Sequence, residues 1–72
     1  MDIKEKLNIL ADLFNMDQDI LTEETELDQL DEWDSIASIT TIAMIDSIFG
    51  KEIKPEEVKK FRTIKDITDI MD

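Results

Sequence analysis

The sequence predicts an all-α fold, a small four-helix bundle with a long first loop and a short third helix. Three observations carry that expectation. Glycine and proline occur once each, at Gly50 and Pro55, too few for a strand-and-turn architecture. Apolar residues recur at three- and four-residue spacing rather than alternating. The chain has 72 residues, 42% of them apolar, enough to bury one thin core, so residues 1–72 are expected to form a single domain.

The first helix is expected from about Asp2 to Phe14. Ile3, Leu7, Leu10 and Phe14 follow i, i+4, i+7, i+11 spacing, which keeps them within about 60° of one another around a helix. Asp2 stands at the cap and Glu5 three positions later, a capping-box pattern. From about Asn15 to Asp34 the periodicity fades and acids dominate. A connection of about 20 residues is long for a small domain, so Ile20, Leu21, Leu27, Leu30 and Trp33 are expected to pin it, or it carries function. Asp17 and Asp19 suggest a calcium loop, because alternate carboxylates can converge on one hard cation. The pattern then fails: Leu21 and Thr22 stand where an EF-hand needs an oxygen ligand and its glycine, and Asp28 where it needs a bidentate glutamate. Loose cation association is what remains.

The next helix is expected over Asp34 to Phe49, with Asp-Ser at its start and Gly50 at its end. At 100° per residue Ile42, Ile45, Ile48 and Phe49 form the expected core face, with Ile36, Ile39 and Ala43 as a second stripe beside it. Only Asp46 is charged between Ser35 and Gly50, although 38% of the chain is charged. A helix apolar nearly all round is either central or binds something outside, and a domain this small cannot enclose it. The second stripe is therefore a candidate docking face. Pro55 suits the first position of a short helix reaching about Phe61, with Glu56 and Glu57 complementing its dipole. Thr63 and Asp66 form a second capping-box pattern, opening a last helix whose Ile64, Ile67 and Met71 face the core.

Charge and composition narrow the function classes. Cysteine and histidine are absent, which removes disulfides, thiolate or imidazole metal sites and Ser-His or Cys-His catalysis, so no enzyme is expected. The formal net charge is −11 and no base lies between Leu7 and Gly50. Such a surface repels nucleic acid and anionic membranes and suits protein partners with basic patches. The opening residues Met1 to Glu5 include no hydrophobic run of signal or membrane length, so a cytoplasmic, monomeric protein without membrane insertion is expected.

Asp34-Ser35 sits between the acidic loop and the nearly uncharged helix. A helix N-terminus has unpaired N–H groups and a partial positive charge, so a serine there can be exposed and can carry a phosphate. The same two residues also make an ordinary cap. Their surroundings go further. Glu32-Trp33-Asp34-Ser35-Ile36, near mid-chain and opening the second of four helices, resembles the modification site of acyl carrier proteins, with Ile36 where that family usually has leucine. The similarity extends through Phe49, Glu52-Ile53, Glu56-Glu57-Val58 and Thr63-Ile64.

The resemblance implies a carrier rather than an enzyme. Ser35 would receive a covalent 4′-phosphopantetheine from coenzyme A through a separate Mg²⁺-dependent phosphopantetheinyl transferase, and acyl groups would ride as thioesters on its thiol. Asp34 would cap the helix and present Ser35. Ile36, Ile39 and Ala43 match the family's docking helix, with Asp28, Asp31 and Glu32 steering acyl-loading and acyl-processing enzymes. Ala37, Ser38, Thr40 and Thr41 replace acids common on the outer face of this helix in fatty-acid carriers, which leans toward a specialised fatty-acid or polyketide-type pathway. The alternatives are an aminoacyl carrier and, from a different class, a cargo-free acidic module binding a basic protein. Trp33 is expected to pack under the loop.

Eleven acids without an intervening base within residues 12–46 should repel one another over distances comparable to a Debye length. Raising ionic strength from roughly 10 mM to 0.15 M should therefore raise the thermal midpoint by several degrees, and divalent cations should do so at lower concentration. Melts at several salt concentrations check this; a midpoint that stays put contradicts it.

Overall fold

A computed structural model describes residues 1–71. It contains four α-helices, α1 (Ile3–Phe14), α2 (Ser35–Phe49), α3 (Pro55–Val58) and α4 (Ile64–Thr68), with 3₁₀ turns at Gln18–Ile20 and Leu27–Gln29 in the long first loop. The helix starts follow the capping chemistry. The Glu5 N–H donates to Asp2 Oδ1 at 2.8 Å, and the Ala37 N–H donates to Asp34 Oδ1 at 2.8 Å. Two left-handed residues provide the stops: Asn15 (φ 56°) after α1 and Gly50 (φ 67°) after α2. Asparagine tolerates that conformation; at Gly50 the missing Cβ removes its cost.

α1 packs on α2 and α4, and α2 also packs on α3. Leu10, Ala11 and Phe14 of α1, Met44 and Ile45 of α2, Val58 of α3, and Ile64 and Ile67 of α4 are buried together with Leu21, Leu27, Ile53 and Met71. Leu10, Ile45, Ile64, Ile67 and Met71 have no exposed surface. Truncating any one of these large side chains to alanine costs roughly 2–5 kcal/mol.

Six sequence expectations change. Ile48 lies in the same angular sector of α2 as Met44 and Ile45, yet it is 51% exposed, while Phe49 beside it packs against the core. Ile3, in the first turn of α1, is also exposed, and Ile20 is exposed at the end of its 3₁₀ turn and pins nothing. The core sector of α2 instead includes Thr41, whose Oγ1 donates to the Ala37 carbonyl at 2.8 Å and so enters the core satisfied. This sector faces roughly opposite Ile36, Ile39 and Ala43, so those residues form an outer face rather than a neighbouring stripe. α3 is also shorter than expected, ending at Val58, with only a turn reaching Phe61.

The long loop is laced to the entrance of α4. Leu27 N–H donates to the Arg62 carbonyl at 2.8 Å, Ile64 N–H to the Thr25 carbonyl at 3.0 Å and Lys65 N–H to the Glu23 carbonyl at 3.0 Å, around an antiparallel bridge between Glu26 and Thr63. Asp17 caps its own 3₁₀ turn by accepting the Asp19 N–H at 3.1 Å. Among the described residues no cluster of three or more metal-ligating side chains is placed to hold an ion. Beyond α2, Lys51 Nζ donates to the Ile70 carbonyl at 2.9 Å, tying the start of the α2–α3 connection to the turn following α4.

Arg62 and Thr63 N–H groups donate to Asp66 Oδ2 at 2.8 and 3.2 Å. These two hydrogen bonds hold the Asp66 carboxyl below the usual aspartate range. Because the folded value is depressed, the stabilisation is fully present above the unfolded value near 4 and is lost as pH falls through the folded one. Wild type should therefore melt above Asp66→Asn at neutral pH, and the gap should close as pH falls below about 4. Paired melts across that range check the sign.

Candidate functional site at the start of the second helix

The loop ends where three interactions converge. Leu30 accepts the Trp33 N–H at 3.1 Å, and the Trp33 ring stands edge-on to Phe14 with centroids 5.8 Å apart. Asp34 then stays extended (φ −128°, ψ −172°) and turns its carboxylate onto the Ala37 amide. Trp33 is thus packed against the end of α1, as expected, and the next residue but one is Ser35, exposed at the first position of α2.

The serines nearest this point differ in one respect. Ser38 Oγ donates to the Asp34 carbonyl at 3.1 Å, whereas Ser35 Oγ has no hydrogen-bond partner among the described residues. The Thr40 hydroxyl likewise folds back onto the Ile36 carbonyl at 2.8 Å. Much of the polarity in the first half of α2 is therefore spent inside the helix. Only the Ser35 hydroxyl stands at the helix entrance unengaged.

Ser35 opens onto a cleft of about 200 Å³ between α2 and α3, lined by Ser35, Ser38, Ile39, Ile42, Pro55, Val58 and Lys59. Its wall is almost wholly apolar, and Lys59 is the one charged residue that lines it. The outer side of α2 carries Ile36 and Ile39, 73% and 66% exposed, with Ala43 also exposed. Asp28, Asp31 and Glu32 are exposed on the loop preceding Asp34. The structure therefore brings Asp34, Ser35, Ile36, Ile39 and Ala43 onto one helix, with the three further acids along its approach. Ile42, Pro55, Val58 and Lys59 were not expected at this site. Ile42 was read as core, and nothing local to residues 55–59 shows which helix they face.

The chain belongs to the family described as phosphopantetheine attachment site, whose model matches residues 7–71. No curated protein and no solved structure gives a significant match. The family's domains are carriers, not catalysts, and hold a covalently attached 4′-phosphopantetheine. The residues here fit such a group: an unengaged hydroxyl at a helix start, a capped approach that leaves it exposed, and an apolar cleft beside it. No helix among the described residues is long and apolar enough to cross a membrane.

Exposure separates surface from core on α2. Ile39→Asp should leave helicity and the thermal midpoint nearly unchanged, whereas Ile45→Ala should lose roughly 2–5 kcal/mol. Circular dichroism melts of the two variants check this; unfolding of Ile39→Asp would return Ile39 to the core.

Proposed function

We propose that Ser35 is the attachment point of the 4′-phosphopantetheine and that this protein delivers acyl thioesters to partner enzymes in a specialised fatty-acid or polyketide-type pathway. The observation that supports the reading best is the unengaged Ser35 hydroxyl at the mouth of the α2–α3 cleft. In the loading step Ser35 Oγ forms a bond to phosphorus, the pyrophosphate P–O bond of coenzyme A breaks, and adenosine 3′,5′-bisphosphate leaves. The hydroxyl proton passes to a base of the phosphopantetheinyl transferase, while Asp34 Oδ1 holds the Ala37 amide. Asp34 acts as a positioning residue that fixes the helix start and keeps Ser35 presented.

The specialised pathway is supported by the near absence of charge on α2 and by the size of the cleft. A space of about 200 Å³ is smaller than the roughly 300–1,000 Å³ of ordinary ligand pockets, so a short or partly inserted acyl group suits it. Partners with basic patches are steered by Asp28, Asp31, Glu32 and Asp34 and held by Ile36, Ile39 and Ala43. In this division the loop governs association rate and salt dependence, and the helix supplies apolar contact of about 1.5–3 kcal/mol per buried aliphatic side chain. The carrier is a cytoplasmic monomer in this reading.

Incubation with a broad-specificity transferase, Mg²⁺ and coenzyme A should add one arm by intact mass, and Ser35→Ala should add none. Ile39→Asp should load at least several-fold more slowly while remaining folded, and Asp31→Asn should mainly flatten the salt dependence of loading. Modification at Ser38 or Ser47 would remove the assignment of Ser35, and a wild type that gains no mass would favour the cargo-free acidic module.

A further inference from the structure

We propose that the Lys59 ammonium is the counter-ion of the phosphodiester at Ser35, and that this pairing directs the attached arm across the α2–α3 cleft rather than outward along α2. The inference rests on Ser35 as the attachment point. Lys59 follows α3 directly, its N–H donating to the Pro55 carbonyl at 3.1 Å, and it is the only cation lining the cleft that Ser35 also lines. Its ammonium has no hydrogen-bond or ion-pair partner among the described residues. What distinguishes Lys59 from the other bases is its place in the cleft lining. Lysine can lay its aliphatic stem along an apolar wall while its head stays in water, which matches a residue that lines an apolar cleft and is exposed.

Attachment at Ser35 brings a permanent negative charge next to Asp34 and close in sequence to Asp31 and Glu32. The positive end of α2 answers part of it, but the Ala37 amide is already taken by Asp34. Lysine binds phosphate oxygens as a point charge and needs no fixed geometry. Drawing the phosphate toward α3 starts the arm over the apolar cleft. It also leaves Ile36 and Ala43, which lie outside the cleft, uncovered for a partner.

The test compares apo and loaded forms of wild type, Lys59→Gln, Lys59→Arg and Lys60→Gln, with loading confirmed by intact mass. Lys60 is the control, being the next lysine and absent from the cleft lining. At roughly 20 mM NaCl, loading should lower the midpoint of Lys59→Gln by about 2–4 °C relative to its effect on wild type. Lys59→Arg and Lys60→Gln should follow wild type, and the difference should vanish near 1 M NaCl, where the Debye length is about 3 Å. Equal loading effects in wild type and Lys59→Gln at low salt overturn the pairing while leaving Ser35 as the attachment point. A wild type that gains no mass overturns both.

Discussion

The position of Ser35 depends on holding a segment of about 20 residues, with little regular structure of its own, in one conformation. Backbone hydrogen bonds to the entrance of α4 do much of this. Glu23 and Thr25 supply carbonyls to Lys65 and Ile64, and Leu27 donates to Arg62. Leu21 and Leu27 enter the core from the same segment, and Trp33 closes it against Phe14. The C-terminal part of the chain therefore supports the approach to a residue near its middle. Asp66, which holds the Arg62 and Thr63 amides at the start of α4, contributes to the same scaffold without touching the site.

Charge and contact are divided between two successive pieces of the chain. The loop carries the acids, and α2 carries exposed isoleucines with Asp46 as its single charge. Back-bonding of Ser38, Thr40 and Thr41 to carbonyls of their own helix deepens the division, since three residues that look polar in sequence offer their hydroxyls inward. An uncharged contact face avoids the desolvation cost of burying ions, while acids at its edge still act at long range. This division suits the docking role proposed for α2.

Much of the fold was legible because its signals are local. Asp2, Asp34 or Gly50 can be read against the few residues beside them, and Ile64, Ile67 and Met71 lie on the buried side as their spacing implied. The angular pattern went astray at helix ends. Ile3 and Ile48 share the angular sector of buried residues and are nonetheless exposed, because angular direction alone does not say whether another element covers a given turn. Thr41 was overlooked because its hydroxyl disguises a core residue. At the site, Ser35 and the outer stripe could be found from one contiguous stretch. The opposite wall of the cleft could not, because Pro55, Val58 and Lys59 reach it only through the packing of α3 on α2.

Trp33 has a use that follows from where it is anchored. It is the single tryptophan in a chain without tyrosine, so the near-ultraviolet emission of the protein comes from one ring. That ring is partly shielded by Phe14 and stands two residues before the exposed serine. Its intensity and wavelength therefore report the junction of loop and helix directly, with no extrinsic dye. The fold thus includes its own optical probe for following events at Ser35 in real time.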